Sequence, residues 1–248
     1  MSYKPGEITT LATMTETERR QTLLKPWVQP GAGPMLAEAA AILSLLPAPP
    51  ATVLECGCGD GWLCHMLSLC DYDVAGTDVC SDSLKAARRG VNWAGNQSTP
   101  VFGLRDWDDL GEPQYNALIF NSSLHHSVDR DKTLKSAWGA LKGGGIIIIS
   151  EPGIGHAGAK HVKAWANRAG VTEQSVPPFK LVRELRRVGF VSVKVYPKPS
   201  TLHGTAYSPS SFACYHPFLA KLAGVLPLSI ASLAGKWFQG LVTAKKPL

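Results

Sequence analysis

The fold of this chain is decided by residues 52–62, Thr52-Val53-Leu54-Glu55-Cys56-Gly57-Cys58-Gly59-Asp60-Gly61-Trp62. The opening residues are apolar, as in a buried strand, and residues 62–69 have the composition of a helix. Between them glycine occupies every second position, so the backbone can turn sharply and approach a ligand without a Cβ in the way. The stretch predicts a strand, a tight turn and a helix N-terminus, the unit that builds doubly wound α/β sheets.

The charge of this turn argues against phosphate binding. Glu55 precedes the glycines and Asp60 lies among them, and both carboxylates would repel a pyrophosphate. Trp62 occupies the place where a dinucleotide-binding fingerprint needs its third glycine. The turn therefore favours a cationic ligand, although a glycine turn in some other doubly wound protein stays an alternative.

With these residues in view, the chain resembles the class I S-adenosylmethionine-dependent methyltransferases, whose first motif is an acid followed by G-x-G-x-G. The resemblance implies S-adenosylmethionine as cofactor, a sulfonium compound without phosphate, and S-adenosylhomocysteine as its product. It further implies that Glu55 contacts the ammonium group of the cofactor and that Gly57, Cys58 and Gly59 form the turn around it.

A second strand over residues 73–78 ends in an acid, Asp78, and Val79 follows it. Ligands of open parallel sheets lie beyond the carboxyl ends of the strands, where a carboxylate can accept hydrogen bonds from both ribose hydroxyls. We expect Asp78 to bind the ribose, with Val79 beside it in the cofactor site. The alternative for Asp78 is an N-cap of the next helix, which Ser81 and Asp82 can provide themselves.

The third strand, residues 100–104, leads to the place where the resembled family sets an acid against the adenine amino group. Asp106 can accept that hydrogen bond, and Trp107 offers a flat apolar wall for the ring. Asp108 or Asp109 are alternatives for the acid, and core packing is the alternative for the tryptophan.

The fourth strand, residues 115–120, runs into Asn121, which we place in the cofactor site, and then into the pair His125 and His126. In the small-molecule branch of the resembled family, a histidine pair here lies under the transferred methyl group. A histidine can remove a proton from an attacking hydroxyl, and either member of the pair can instead be structural. Methylases of nucleic-acid bases carry Pro-Pro-aromatic at this place, whereas this chain has Ser122-Ser123-Leu124, so nucleic acid is not the expected acceptor.

A fifth strand is expected over residues 146–150, after a glycine turn at 143–145 that ends the preceding helix. The segment from Glu151 to Pro178 has weak helix signals and should line the acceptor pocket, with Glu151 and His156 as its polar candidates. Its Glu-Pro-Gly-x-Gly-His start resembles bacterial methyltransferases of surface-glycan synthesis, which implies a sugar or glycan acceptor. His156 thus joins His125 and His126 as a candidate catalytic residue.

The last two strands enclose a long excursion. A helix over residues 179–188 and a strand over 190–196 are followed by a delayed partner strand near 238–247. We expect residues 200–236 to form a cap over the acceptor site. The alternative is contact of the apolar segment 216–236 with an anionic bilayer surface.

Composition sets wider bounds. The formal net charge of +6 and the pI of about 9.0 fit an anionic partner without identifying one. The six cysteines contain no C-x-x-C pair and the N-terminus lacks the pattern of a signal peptide, which favours a reduced, cytoplasmic protein. We assign Cys56 no chemistry and expect no bound metal.

The sequence therefore predicts an α/β protein, a Rossmann-like doubly wound sheet of seven strands in the order 3-2-1-4-5-7-6 with an antiparallel last strand and a helical insertion. The expected parts are a helical arm (1–49), a cofactor-binding core (50–199), the cap (200–236) and a terminal strand (237–248). The expected activity is methyl transfer to a hydroxyl of a small molecule or a glycan intermediate. N- or C-methylation, a binding protein without turnover and a nicotinamide oxidoreductase are the alternatives, and Trp62 argues against the last. The oligomeric state stays open.

Overall fold

The computed structural model describes residues 3–28, 31–90, 99–207 and 238–248 of the chain. The strands in these residues are β1 (Thr52–Cys56), β2 (Asp73–Asp78), β3 (Val101–Leu104), β4 (Tyr115–Asn121), β5 (Leu141–Ser150), β6 (Val191–Pro197) and β7 (Gly240–Lys245). They form one sheet in the order β3-β2-β1-β4-β5-β7-β6, in which β7 runs antiparallel to both neighbours. This confirms the predicted strand order and the antiparallel last strand.

Helices cover the sheet and precede it. They are α1 (Pro5–Ile8), α2 (Thr10–Thr13), α3 (Glu16–Leu23), α4 (Ala32–Leu45), α5 (Trp62–Ser68), α6 (Ser81–Arg88), α7 (Arg130–Ala140), α8 (Lys160–Ala169), α9 (Pro178–Val188) and α10 (Pro199–Tyr207). Short 3-10 turns, Leu124–His126 and His156–Gly158, follow β4 and β5. Helix α6 ends at Arg88, and residues 91–98 lie outside the described part.

Alternate residues of the central strands enter two separate cores. Leu54 of β1 packs with Leu134 of α7 and Leu185 of α9 on one face of the sheet. Val53 packs with Ile42 of α4 and with α5 and α6 on the other face. This period of two is that of a strand buried on both sides, and truncating one such leucine to alanine costs about 2 to 5 kcal/mol.

Strand β5 starts earlier than expected. The glycines at 143–145 do not separate helix from strand as predicted, because β5 already begins at Leu141. Its register against β4 shifts from Tyr115 opposite Leu141 to Ala117 opposite Ile146, so the glycines occupy an irregularity within the strand. Gly144 has a φ of +75°, a conformation that glycine adopts without steric penalty, which explains why the strand can bulge here.

The segment between Glu151 and Pro178 contains a full helix, α8, where the sequence shows only weak helix signals. Gly170 ends it at a φ of +68°. The arm docks here: Arg168 of α8 pairs with Glu18 of α3 at 2.6 Å, and a Cβ on Gly6 would lie 2.1 Å from the carbonyl oxygen of Ala169. The N-terminal helices therefore lie against this segment.

Only the start of the excursion between β6 and β7 is described. Helix α10 packs on α4, and the backbone N–H of Ser200 donates to the Glu38 carboxylate at 3.2 Å. Most of the predicted cap, and all of the segment considered for bilayer contact, lies outside the described residues. Within the described ranges no helix is both long enough and apolar enough to cross a membrane.

Candidate active site

A cavity of about 330 Å³ opens at the carboxyl ends of β1, β2 and β4. The core contributes the turn after β1, the end of β2 and the start of the loop after β4. Residues of α1 to α3 in the arm line the same cavity. The wall includes most of the predicted cofactor residues, namely Glu55, Gly57, Cys58, Gly59, Asp78, Val79, Trp107 and Asn121.

The glycine turn is tied to β2. The backbone N–H groups of Gly57 and Cys58 both donate to the carbonyl oxygen of Thr77, at 2.7 and 3.0 Å. Gly57 has a φ of +73°, and a Cβ there would lie 2.6 Å from Cβ of Ser123. Gly59 has a φ of +56°, but a Cβ there would meet nothing within 4 Å. The first position therefore requires glycine for space, and the second requires it for backbone conformation alone.

Asp78 lies at the wall of the cavity and binds the glycine turn. Its Oδ2 accepts a hydrogen bond from the Gly59 N–H at 2.9 Å, and its Oδ1 accepts one from the Cys80 N–H at 2.8 Å. Burial raises the pKa of this carboxyl, and the backbone N–H groups of Cys80, Gly59 and Val79 partly oppose that shift. A carboxylate can accept about four hydrogen bonds, so this one retains capacity for ligand hydroxyls. The N-cap of α6 is Cys80 and not Asp78.

Glu55 is the most buried of the predicted cofactor residues that carry charge. It is 2% exposed, and Cys64 Sγ donates to its Oε2 at 2.9 Å. Burial raises the pKa of its carboxyl to about 8, and the nearby Asp60 and Asp78 act in the same direction. An arriving ammonium group would favour the ionised carboxylate, which is the electrostatic match expected for a cationic ligand.

Of the two residues predicted to contact adenine, Trp107 lines the cavity and Asp106 does not. Trp107 lies in the cavity wall at 6% exposure and packs edge-to-face on Phe120, so it is part of the core, and its adenine contact stays a prediction. Its Nε1 is a buried donor without an acceptor in the described part of the chain. Asp106 does not line the cavity, and its Oδ1 accepts a hydrogen bond from the Asp108 N–H at 3.1 Å. The adenine contact of Asp106 stays a prediction.

The loop after β4 is fixed by Glu151, which is 1% exposed. Its Oε1 accepts hydrogen bonds from the N–H groups of Ser123 and Leu124 at 2.8 and 2.7 Å, and its Oε2 lies 2.6 Å from Nδ1 of His125. Burial works against both charges, but their attraction raises the pKa of His125 and lowers that of Glu151. Glu151 thus binds this loop and does not line the cavity, and His125 is held behind the wall.

His126 is the predicted catalytic histidine that faces the cavity. Its Nδ1 donates to the carbonyl oxygen of Thr172 at 2.6 Å in the neutral ring, which leaves Nε2 as the acceptor nitrogen. Burial lowers the pKa of this histidine to about 4, and the neighbouring His125 adds to the effect. His156 does not line the cavity, and its Nε2 lies 2.8 Å from Oε2 of Glu173.

Two further carboxylates line the cavity that sequence reasoning missed. Glu7 of α1 accepts a hydrogen bond from the Thr172 N–H at 2.9 Å, and burial raises its pKa to about 7. Glu38 of α4 is buried and accepts a hydrogen bond from Ser150 Oγ. Lys198, which follows β6, also borders the cavity. No local pattern singles these residues out, because each reaches the site through the fold.

The residues around the cavity fit the predicted cofactor. A buried acid suits its ammonium group, Asp78 retains acceptor capacity for hydroxyls, Gly59 leaves open space, and Trp107 offers an apolar wall with an unused donor. A sheet of this order with an acidic glycine turn after β1 defines the class I S-adenosylmethionine-dependent methyltransferase fold.

The chain belongs to the methyltransferase-domain family, whose model matches residues 33–195. A ubiquinone biosynthesis O-methyltransferase of Idiomarina loihiensis is 27% identical over 140 residues, which is 53% of this chain and 58% of that protein. Among solved structures, phosphoethanolamine N-methyltransferase 2 of Haemonchus contortus is 18% identical with a TM-score of 0.59, covering 85% of this chain and 52% of that one. An S-adenosylmethionine-dependent methyltransferase of Mesorhizobium loti is 20% identical with a TM-score of 0.59, covering 85% and 98%. The chain thus spans little more than half of the first two proteins.

Proposed function

We propose that this protein is an S-adenosylmethionine-dependent methyltransferase that transfers the methyl group to a hydroxyl of a small molecule, including a sugar. The observation that carries the proposal is that His126, whose Nε2 is an acceptor in the neutral ring, lines the same cavity as the predicted cofactor residues. The similarity to an O-methyltransferase of Idiomarina loihiensis supports a hydroxyl acceptor.

Different residues of the cavity bind the cofactor and the acceptor. Glu55 binds the ammonium group of the cofactor and Asp78 its ribose, while Gly57 and Gly59 let the backbone approach. When bound, the cofactor supplies a methyl group already activated on a sulfonium sulfur, so alignment and exclusion of water are the main requirements. His126 Nε2 accepts the hydrogen bond of the acceptor hydroxyl, orients its oxygen and can take up its proton.

The acidic side of the cavity favours a second candidate acceptor. Glu7 and Glu38 border the cavity with His126 and would attract an ammonium group, so transfer to an amine nitrogen is the alternative. Incubating the protein and a deuterated-methyl cofactor with hydroxyl and amine compounds of matched carbon skeleton separates the two, since mass spectrometry shows which product gains the label. A protein that forms no S-adenosylhomocysteine with any acceptor would instead be a binding protein.

The cofactor assignment is tested by Asp78→Ala. Loss of charge-assisted hydrogen bonds costs roughly 1.5 to 3 kcal/mol, so the affinity for S-adenosylhomocysteine should fall about ten- to over a hundredfold. The matched control is Asp82→Ala, which removes an exposed carboxylate paired with Lys85 and should leave the affinity unchanged. Calorimetry that finds equal affinities for Asp78→Ala and the wild type would remove the ribose assignment.

A further inference from the structure

Two histidines and a glutamate meet behind the acceptor side of the cavity. One potential ligand atom each from His125, His126 and Glu173 lies within 4.8 Å of the other two. The imidazole rings of His125 and His126 are 4.0 Å apart, and that of His156 lies 5.2 Å from the first. The residues come from two different loops, so the fold and not a local motif brings them together.

The outer nitrogens of both histidines are already fixed. Nδ1 of His125 bonds to the Glu151 carboxylate and Nδ1 of His126 to the Thr172 carbonyl oxygen, each at 2.6 Å. A metal-binding histidine nearly always uses its second nitrogen in this way, which sets the tautomer and the ring orientation. In both rings Nε2 is the nitrogen that remains to ligate an ion.

The distances within the group suit ligands of one ion. Nε2 of His125 lies 3.5 Å from Oε2 of Glu173, which is beyond the usual range of an N–H···O hydrogen bond. Two ligands bound at about 2.0 to 2.1 Å in a tetrahedral site are separated by about 3.4 Å. His156 Nε2, at 2.8 Å from the same oxygen, is close enough to serve as a further ligand or to orient the carboxylate.

The surrounding charge favours a cation. Glu7, Glu151 and Glu173 lie around the two histidines and are largely buried, and a buried carboxylate needs a compensating positive charge. The positive charge of Lys198 lies near enough to His125 to lower its pKa, so it partly offsets these carboxylates. Two imidazoles and a carboxylate form a donor set that suits zinc and its first-row neighbours more than magnesium or calcium.

We propose that His125, His126 and Glu173 bind a divalent transition-metal ion, of the Zn²⁺ type, at the margin of the cavity. Because His126 lines the cavity, the ion would be reachable from the acceptor side. Its role rests on the proposed function, and it would replace the direct hydrogen bond from the acceptor hydroxyl to His126 Nε2, because the ion uses that lone pair. An open coordination position of the ion would polarise the acceptor hydroxyl instead. Ion binding itself is independent of that activity.

The test is a calorimetric titration of the metal-stripped protein with Zn²⁺. The absorption spectrum of the Co²⁺-loaded protein is a separate check of coordination geometry. A Cys70→Ser, Cys214→Ser background removes one exposed thiol and one thiol outside the described residues, either of which would compete as a soft ligand. We expect one ion per chain. His126→Ala and Glu173→Gln should each weaken binding by at least about tenfold, and Glu151→Gln, which acts through His125, by about 10- to 100-fold.

The matched control is His161→Ala on α8, an exposed histidine outside the group, which should leave Zn²⁺ affinity unchanged. S-adenosylhomocysteine binding to each variant shows that it is folded. Equal Zn²⁺ affinity of the wild type and the His126→Ala, Glu173→Gln double variant would overturn the site, and the hydrogen bonds around His125 would then be a metal-free ion-pair network. If any single variant unfolds, a wild-type Co²⁺ spectrum without tetrahedral bands overturns the site on its own.

Measurements of Zn²⁺ binding and of turnover together distinguish failure of the proposed metal site from failure of the proposed methyl transfer. Stoichiometric Zn²⁺ binding without turnover on any acceptor supports the site and contradicts the proposed function. Turnover that survives removal of a demonstrated ion supports methyl transfer and overturns the catalytic role of the ion. Turnover that is lost on chelation and restored by Zn²⁺ supports both.

Discussion

Glu151→Gln tests the buried anchor of the loop after β4. Oε1 of Glu151 accepts hydrogen bonds from Ser123 and Leu124, and Oε2 bonds to Nδ1 of His125, so the carboxylate makes three short, charge-assisted contacts. Glutamine keeps the shape and one acceptor oxygen but loses the charge. Its NH₂ group would face Nδ1 of His125. Nδ1 would then have to lose its proton and accept the hydrogen bond.

Replacing each charge-assisted bond by a neutral one costs about 1 kcal/mol, so the free energy of unfolding should fall by about 3 kcal/mol. Urea unfolding at neutral pH measures this as a lower midpoint at unchanged slope. Glu112→Gln, at an exposed carboxylate, is the control and should stay within about 0.5 kcal/mol of the wild type. If the free energy of unfolding of Glu151→Gln lies within about 1 kcal/mol of the wild-type value, which is about the error of such measurements, the carboxylate is not the anchor that its contacts indicate.

Two further predictions concern the cofactor site. Gly57→Ala should strongly reduce S-adenosylhomocysteine affinity, because a Cβ would lie 2.6 Å from Ser123 at a φ of +73°; Gly103→Ala, where a Cβ meets nothing within 4 Å, should bind normally in the same calorimetric assay. Burial raises the pKa of Glu55 from its ordinary value of 4.5 to about 8, so between these pH values the folded, ligand-free protein keeps a proton that the unfolded chain has lost. The free energy of unfolding of the protein should therefore fall as the pH is raised from about 5 to 8, by up to about 1.4 kcal/mol per pH unit. Urea unfolding at several pH values should show a flatter pH dependence for Glu55→Gln.

The sheet and the cofactor edge were accessible from the sequence because their signals are local. Each strand is a short apolar run, and Glu55, Gly57 and Asp78 stand at strand ends, where the topology of a doubly wound sheet brings them together. The start of β5 was misjudged because the glycines tolerate a bulge within a strand as readily as a turn.

The acceptor side was much less accessible because distant contacts build it. Glu7 reaches Thr172 across 165 residues, and a polar arm gives no periodic signal for such a contact. The adjacent histidines are chemically equivalent in the sequence, yet the Glu151 carboxylate holds one behind the wall and the Thr172 carbonyl oxygen leaves the other facing the cavity. No spacing rule links Glu173 to either histidine, so no local motif could indicate that these side chains lie together.

The arm that forms one wall of the cavity has a kinetic consequence. Tyr3, Glu7 and Leu11 line the same cavity as the glycine turn, so a molecule that fills the space touches both the sheet edge and the arm. Its residence time then depends on how often α1 and α2 detach, and not only on the strength of its own contacts. Amide hydrogens of the arm should exchange more slowly when the cavity is filled. Hydrogen exchange would then report how often the arm detaches to let the product leave.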